Sequence, residues 1–159
     1  MSSPDYEILD LKDAPQFFDA VADRIWRAWW LPEGRVLSDV QSALADVVSS
    51  PGYPFSLVAT RGSVFLGTVT SIQADIPARP HLGPCLAALW VEPASRGQGI
   101  GEALVEAVVQ RLQAGDVERV YLSAKPLMRE YYVHRGWSMI ESDIDKDHQD
   151  VFVRVLPAV

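Results

Sequence analysis

A single cysteine, Cys85, stands in 159 residues, so no internal disulfide can form. The three histidines, His81, His134 and His148, show no metal-ligand spacing among themselves or with Cys85, and no metal is expected. Positive charge is scarce too. Fourteen Lys and Arg against 21 Asp and Glu leave a formal charge of −7, which provides no broad basic surface for phosphates and makes nucleic acid a poor candidate partner, with room only for a compact basic spot. No run of about 18 apolar residues occurs, so no membrane-spanning helix is expected. The first ten residues lack a basic stretch followed by an apolar one, and the expected location is a reducing cytoplasm. What is present is an apolar fraction of 48% with 22% charged residues, enough for one core without staples. One domain over residues 1–159 is the expectation.

Hydrophobic periodicity sets the order of elements. Residues 6–11 read as a first strand, and Asp13, Ala14 and Pro15 as the entry to a helix reaching Trp30, with Phe17, Phe18, Val21, Ile25 and Trp29 on its apolar stripe. A break at residues 31–34 is followed by a second helix carrying Val36, Val40, Leu44, Val47 and Val48. Residues 55–60 and 64–72 are two strands joined by Arg61-Gly62-Ser63, the composition of a hairpin turn. Residues 76–84, with Pro77, Pro80 and Pro84, predict an exposed irregular loop. The nearly continuous apolar run 85–91 predicts a central strand covered on both faces. Ile100, Leu104, Ala107, Val108 and Leu112 then repeat at helical spacing up to Gly115, which can stop that helix. A buried strand over 119–124, a short helix from Pro126 closed by Gly136, and a final antiparallel pair over 137–141 and 151–156 complete the order. The expected fold class is α/β, a mixed β-sheet sandwiched by helices.

Between the central strand and the long helix stand Gly97, Gly99 and Gly101. Successive N–H groups of such a turn converge on an anion, the helix dipole adds positive potential, and missing β-carbons allow close approach. Arg96 adds a formal charge beside them. A P-loop would need Lys after one of these glycines, and none follows. A dinucleotide fingerprint would need Gly where Glu102 stands.

Arg96-Gly97-Gln98-Gly99-Ile100-Gly101 instead resembles the Arg/Gln-x-x-Gly-x-Gly/Ala signature of the GNAT family of N-acetyltransferases. Leu89-x-Val91-x-Pro93 before it, and Tyr132 with Gly136-Trp137 after it, resemble further elements of the same family. The resemblance implies an acetyl-CoA-dependent acyltransferase with central strands splayed at the acyl-CoA site. It implies that the amides of Arg96, Gly97, Gln98, Gly99, Ile100 and Gly101 bind the pyrophosphate of coenzyme A. Leu89 and Val91, with Trp90 between them, would pair by main chain with the pantetheine arm, which adds like a strand. Ser123-Ala124-Lys125-Pro126 departs from the family, many members of which have Asn there.

An amine attacks a thioester only through its neutral lone pair, and the expelled thiolate is helped by a weak acid. Tyr132 matches the family's frequent general-acid tyrosine; the alternative is an amphipathic residue packing a short helix. Glu92, at the end of the central strand, is the candidate base, with a water chain to solvent as its alternative. Cys85 as a covalent nucleophile is not expected, because free Cys is usually a small core residue.

The acceptor side is expected on the first two helices, where Trp26, Trp29 and Trp30 fall within five residues. One helical face cannot bury all three. Either Trp29 lies in the core with Trp26 or Trp30 partly exposed, or Trp26 and Trp30 form an aromatic wall for the acceptor. Arg24 and Arg27 read as solvated. Asp143-Ile144-Asp145-Lys146-Asp147 begins like a calcium loop, but His148 and Arg154 replace the required Gly and Glu. The implied partner is a small-molecule or peptide amine, and dimers are common in the family. The alternative function is a coenzyme A-binding sensor or partner-binding module without turnover; Tyr132 favours catalysis.

Overall fold

The computed structural model describes residues 5–158. Strand β1 (Glu7–Asp10) is followed by 3-10 turns at Leu11–Asp13 and Pro15–Phe17, then helix α1 (Phe18–Ile25). The expected single helix to Trp30 does not form. Its last stretch, Trp26–Trp30, is a π-helical turn in which the Leu31 amide reaches back to the Trp26 carbonyl, and a 3-10 turn Leu31–Glu33 follows. An i→i+5 bond places one more residue in the turn than an α-helix does and shifts the phase of the apolar stripe. Phe17, Val21 and Ile25 are buried as expected, whereas Trp29 turns outward and is 41% exposed. Trp26 and Trp30 pack against the core instead.

Helix α2 (Leu37–Ser49) buries Val40 and Leu44. Strands β2 (Phe55–Arg61) and β3 (Val64–Ile72) are antiparallel, with Gly62 at φ 60° in the expected hairpin turn. Strand β4 (Cys85–Val91), helix α3 (Ile100–Ala114), strand β5 (Arg119–Ala124), helix α4 (Arg129–Val133) and strands β6 (Ser138–Ile144) and β7 (Gln149–Val155) follow. The strands form one mixed sheet in the order β1-β2-β3-β4-β5-β7-β6, the α/β class the periodicity predicts. Strands β4 and β5 are parallel, with Cys85 opposite Tyr121, whereas β1–β2, β2–β3, β5–β7 and β6–β7 are antiparallel. Helix α3 stops beside Gly115, but the left-handed residue is Asp116, at φ 65°.

The chain forms two compact units, with β4 and α3 each contributing to both. The first comprises the residues up to Ser71 together with Ala88–Val108. Its core joins Leu11, Val21 and Ile25 to Val40, Leu44 and Val58. Gly67 of β3 lets β4 come close: a β-carbon there would lie 2.7 Å from the Trp90 carbonyl oxygen.

The second unit comprises Ile72–Ala87 and the chain from Val109 onward. Ile76, Cys85, Ile144 and Val151 form its small core, with Leu82 and Tyr121 packed against it. The loop over 76–84 is therefore not exposed throughout. Ile76 anchors it at 1% exposure, and Gly83 abuts Gln73, whose carbonyl oxygen a β-carbon would strike.

Candidate functional site

Strand β4 does not keep the two-sided cover its apolar run predicts. Cys85, Leu86 and Ala87 are buried, but Leu89, Trp90 and Val91 are only half-buried. Ala88 lies at φ 52°, where a β-branched or bulky residue would be strained, and this breaks the regular pleat at mid-strand. The edge beyond it is covered in part by Arg96, whose Nε donates to the Val91 carbonyl at 2.8 Å and whose guanidinium lies 4.7 Å from the centre of the Trp90 ring.

A 3-10 turn, Pro93–Ser95, carries the chain off β4 into the glycine loop. Gly97 and Gly99 have φ of 78° and 80°, a left-handed geometry that favours glycine, and a β-carbon at either would meet nothing within 4 Å. The Ala103 amide, bonded to the Gly99 carbonyl at 3.0 Å, begins the helical ladder. The first amides of an α-helix have no acceptor within the helix, so a glycine-lined helix N-terminus faces the space beyond the loop; the Arg96 amide is bonded to the Pro93 carbonyl at 3.4 Å. Arg96, Gly97, Gln98 and Gly99 are exposed, whereas the Ile100 side chain is buried and leaves only its main chain for a ligand.

Glu92 is held from two sides. Arg24 donates to its Oε1 through Nε at 2.9 Å, with Nη2 2.8 Å away, and the Trp90 indole donates to Oε2 at 3.2 Å. Burial alone would raise the Glu92 carboxyl. Hydrogen bonds from Arg24 and Trp90, with the charges of Arg24 and Arg96, outweigh it and hold the group below the usual carboxylate range.

In the second unit, Tyr132 is 7% exposed and sits in an aromatic cluster, its ring 6.2 Å from Trp137, 5.5 Å from Phe152 and 5.1 Å from Tyr131. Burial, with a smaller contribution from Tyr131, pushes its hydroxyl up to about 12. Gly136, at φ 90°, turns the chain so that the Trp137 amide bonds the Tyr132 carbonyl at 3.1 Å. Arg129 ties the start of α4 to β7 through two bonds, 2.9 and 2.8 Å, to the fully buried Asp150 carboxylate.

The family model of the acetyltransferase (GNAT) domain matches residues 40–152, which include β4, the glycine loop and Tyr132. This chain belongs to the GNAT acetyltransferase family. Solved GNAT-type structures share its fold. An aminoglycoside 6'-N-acetyltransferase complexed with coenzyme A superposes with a TM-score of 0.75 at 15% identity, covering 96% of this chain and 99% of the other. An acyl-CoA N-acyltransferase from Pseudomonas aeruginosa gives 0.67 at 21% identity, covering 96% and 99%. An acetyltransferase from Streptococcus agalactiae gives 0.71 at 15%, covering 97% and 100%. No curated protein sequence matches the chain.

Within this GNAT chain a cleft of about 400 Å³ is lined by Arg24, Arg27, Ala28, Trp90, Glu92 and Pro93. Of these, Trp90 is a candidate cofactor-binding residue and Glu92 the candidate base. Trp26 and Trp30 do not line the cleft: the Trp26 indole donates to the Arg35 carbonyl at 2.8 Å, and the Arg35 guanidinium covers the Trp30 ring at 4.0 Å. Arg24 and Arg27, which read as solvated, line it instead. Their one sequence signal was i, i+3 spacing on a helix rich in tryptophan. Cys85 is buried and its thiol is pushed up to about 11, mainly by burial, an inert core position. Among the described residues no His, Cys, Asp and Glu group could hold a metal, and no helix is long and apolar enough to cross a membrane.

Proposed function

We propose that this GNAT domain transfers an acetyl group from acetyl-CoA to the primary amine of a small molecule or peptide by direct attack. The observation that carries the reading is the loop at 96–101, whose left-handed glycines leave open space before the first amides of a 15-residue helix. That arrangement fits a pyrophosphate, with Arg96 as the nearby cation. Leu89, Trp90 and Val91, half-buried past the irregularity at Ala88, supply main-chain groups for a pantetheine amide. For the Val91 carbonyl to take part, Arg96 must let go of it. The phosphates are the natural place for that guanidinium to go.

The acceptor ammonium first gives up one proton to become a neutral amine, whose nitrogen bonds to the acyl carbon as the carbon–sulfur bond breaks. A second proton then leaves that nitrogen; of the two, one ends on the coenzyme A sulfur and one in solvent, and the departing thiolate must be stabilised meanwhile. Glu92 is a poor base for the ammonium proton, since both its oxygens already accept hydrogen bonds and its affinity for a proton is lowered. Water is the better acceptor, with Glu92 in an electrostatic role that orders Arg24 and Trp90. Tyr132 remains a neutral phenol through the physiological range. Full transfer from a group at about 12 to a thiolate near 8.5 would be uphill by about 5 kcal/mol. We therefore assign Tyr132 a hydrogen bond to the developing thiolate, with solvent completing the protonation.

The second reading, a coenzyme A-binding module without turnover, draws on the burial of Tyr132 among Tyr131, Trp137 and Phe152, which a purely structural tyrosine would also show. Titrating with acetyl-CoA while following free thiol across an amine panel separates the two. Acceptor-dependent thiol release supports the enzyme; tight binding without it supports the module.

A further inference from the structure

The cleft beside β4 has an unusual charge pattern for a protein of net charge −7. Arg24 is neutralised within it, bonded to Glu92 and paired with Asp23. Arg27 is anchored differently. Its Nε donates to Asp23 Oδ1 at 3.0 Å, while the side chain as a whole is 66% exposed. A guanidinium fixed through Nε has lost its side-on edge but still presents the two terminal Nη groups as an end-on fork. That fork matches the two oxygens of a carboxylate. Asp23 itself is accounted for: burial would raise it, but the hydrogen bonds of Arg27 and Arg24 hold it below the usual range. Arg24 and Arg27 line the cleft together with Glu92, and Arg96 lies over the ring of Trp90, which lines it too.

From this arrangement we infer that the acceptor is an amine that also carries a carboxylate, an amino-acid-like or peptide-C-terminal group, with Arg27 as the specificity-determining residue that binds that carboxylate. The inference rests on the acetyl transfer reading above and names its substrate class. Trp90, Ala28 and Pro93 give the remaining wall an apolar and aromatic character suited to the body of such a molecule. A polycationic acceptor would have to place a charge beside the exposed Arg27 guanidinium, which disfavours it electrostatically.

Two measurements decide it. In the first, thiol release from acetyl-CoA is followed with leucine and phenylalanine, each against its carboxamide, and with a polyamine. The expected result is a kcat/KM at least about tenfold higher for the acid than for the amide, a ratio that Arg27→Ala reduces and Arg27→Glu abolishes or inverts, with the KM for acetyl-CoA unchanged. Equal use of acid and amide, preference for the polyamine, or an Arg27→Glu effect on acetyl-CoA alone would overturn the inference. In the second, calorimetry compares N-acetyl-leucine with N-acetyl-leucinamide on the full chain, which needs no turnover. Tighter binding of the carboxylate, lost in Arg27→Glu, supports the inference even if no acceptor is acetylated; indifference to the carboxylate defeats it even if some amine is. Arg27 is surface-exposed, so both variants are expected to fold, and thermal unfolding checks that they do.

Discussion

Arg24 and Glu92, 68 residues apart in sequence, form an ion pair in which Nε and Nη2 lie 2.9 and 2.8 Å from one carboxylate oxygen. The pair joins α1 to the residue that follows β4, and its other oxygen is held by Trp90. Removing Arg24 leaves a half-buried carboxylate with one donor. Arg24→Ala is expected to destabilise the protein by about 1–2 kcal/mol, measured by urea unfolding. The Glu92 carboxyl is depressed in the folded state, so the stability it contributes is present above its ordinary unfolded range and is lost as pH falls through the lower folded value. That acid-side loss should be smaller in Glu92→Gln.

Glu92→Gln also tests the proton route. If water takes the ammonium proton, kcat should fall by no more than about threefold and the acid limb of its pH profile should stay where it is. A fall of about a hundredfold, with the limb gone, would make Glu92 the general base after all.

Tyr132→Phe keeps the ring contacts with Trp137 and Phe152 and removes only the hydroxyl. Thermal stability should change by less than about 1 kcal/mol, while kcat drops by about tenfold to a hundredfold. Burial raises this phenol to about 12, so the folded state holds its proton more tightly than the unfolded one. The stability this provides is present at neutral pH and is lost as pH climbs from about 10, the ordinary phenol value, toward 12. No alkaline fall in kcat below about pH 10 should trace to Tyr132.

Gly67 and Gly99 should fail in different ways when changed to Ala. At Gly67 the new β-carbon meets the Trp90 carbonyl at 2.7 Å, so Gly67→Ala should cost about 1–3 kcal/mol of stability. At Gly99 there is room but φ is 80°, so the conformational penalty is about 1–2 kcal/mol. The larger effect at Gly99 is expected on the cofactor, as a raised KM for acetyl-CoA, because the methyl group would occupy the space left open at the loop.

Arg129→Ala strands the fully buried Asp150 carboxylate. A loss of up to about 3 kcal/mol is expected in a thermal melt. Replacing Arg129 and Asp150 together by Met and Leu should recover part of it.

Local chemistry made much of this protein legible in advance. The hairpin at Arg61-Gly62-Ser63 followed from turn composition, β4 and β5 from short apolar runs, and the glycine loop from its place between a strand and an amphipathic helix. The family was legible through the resemblance of residues 96–101 to its signature, together with Leu89, Val91 and Pro93 before and Tyr132, Gly136 and Trp137 after.

Other features depended on partners distant in the chain. The π-helical turn at Trp26–Trp30 turned Trp29 outward, a phase shift of one residue that α-helical periodicity has no means of signalling. Ile76 is buried because Cys85, Ile144 and Val151 come to it. The lowered proton affinity of Glu92 and the raised one of Tyr132 are properties of surroundings assembled from several elements. The sequence by itself determined which backbone geometries were cheap and which stretches needed cover, since both are set by neighbouring residues. Only the tertiary structure decided which charges meet and which aromatics stay out, because electrostatic and packing energies depend on distances that the chain closes when it folds.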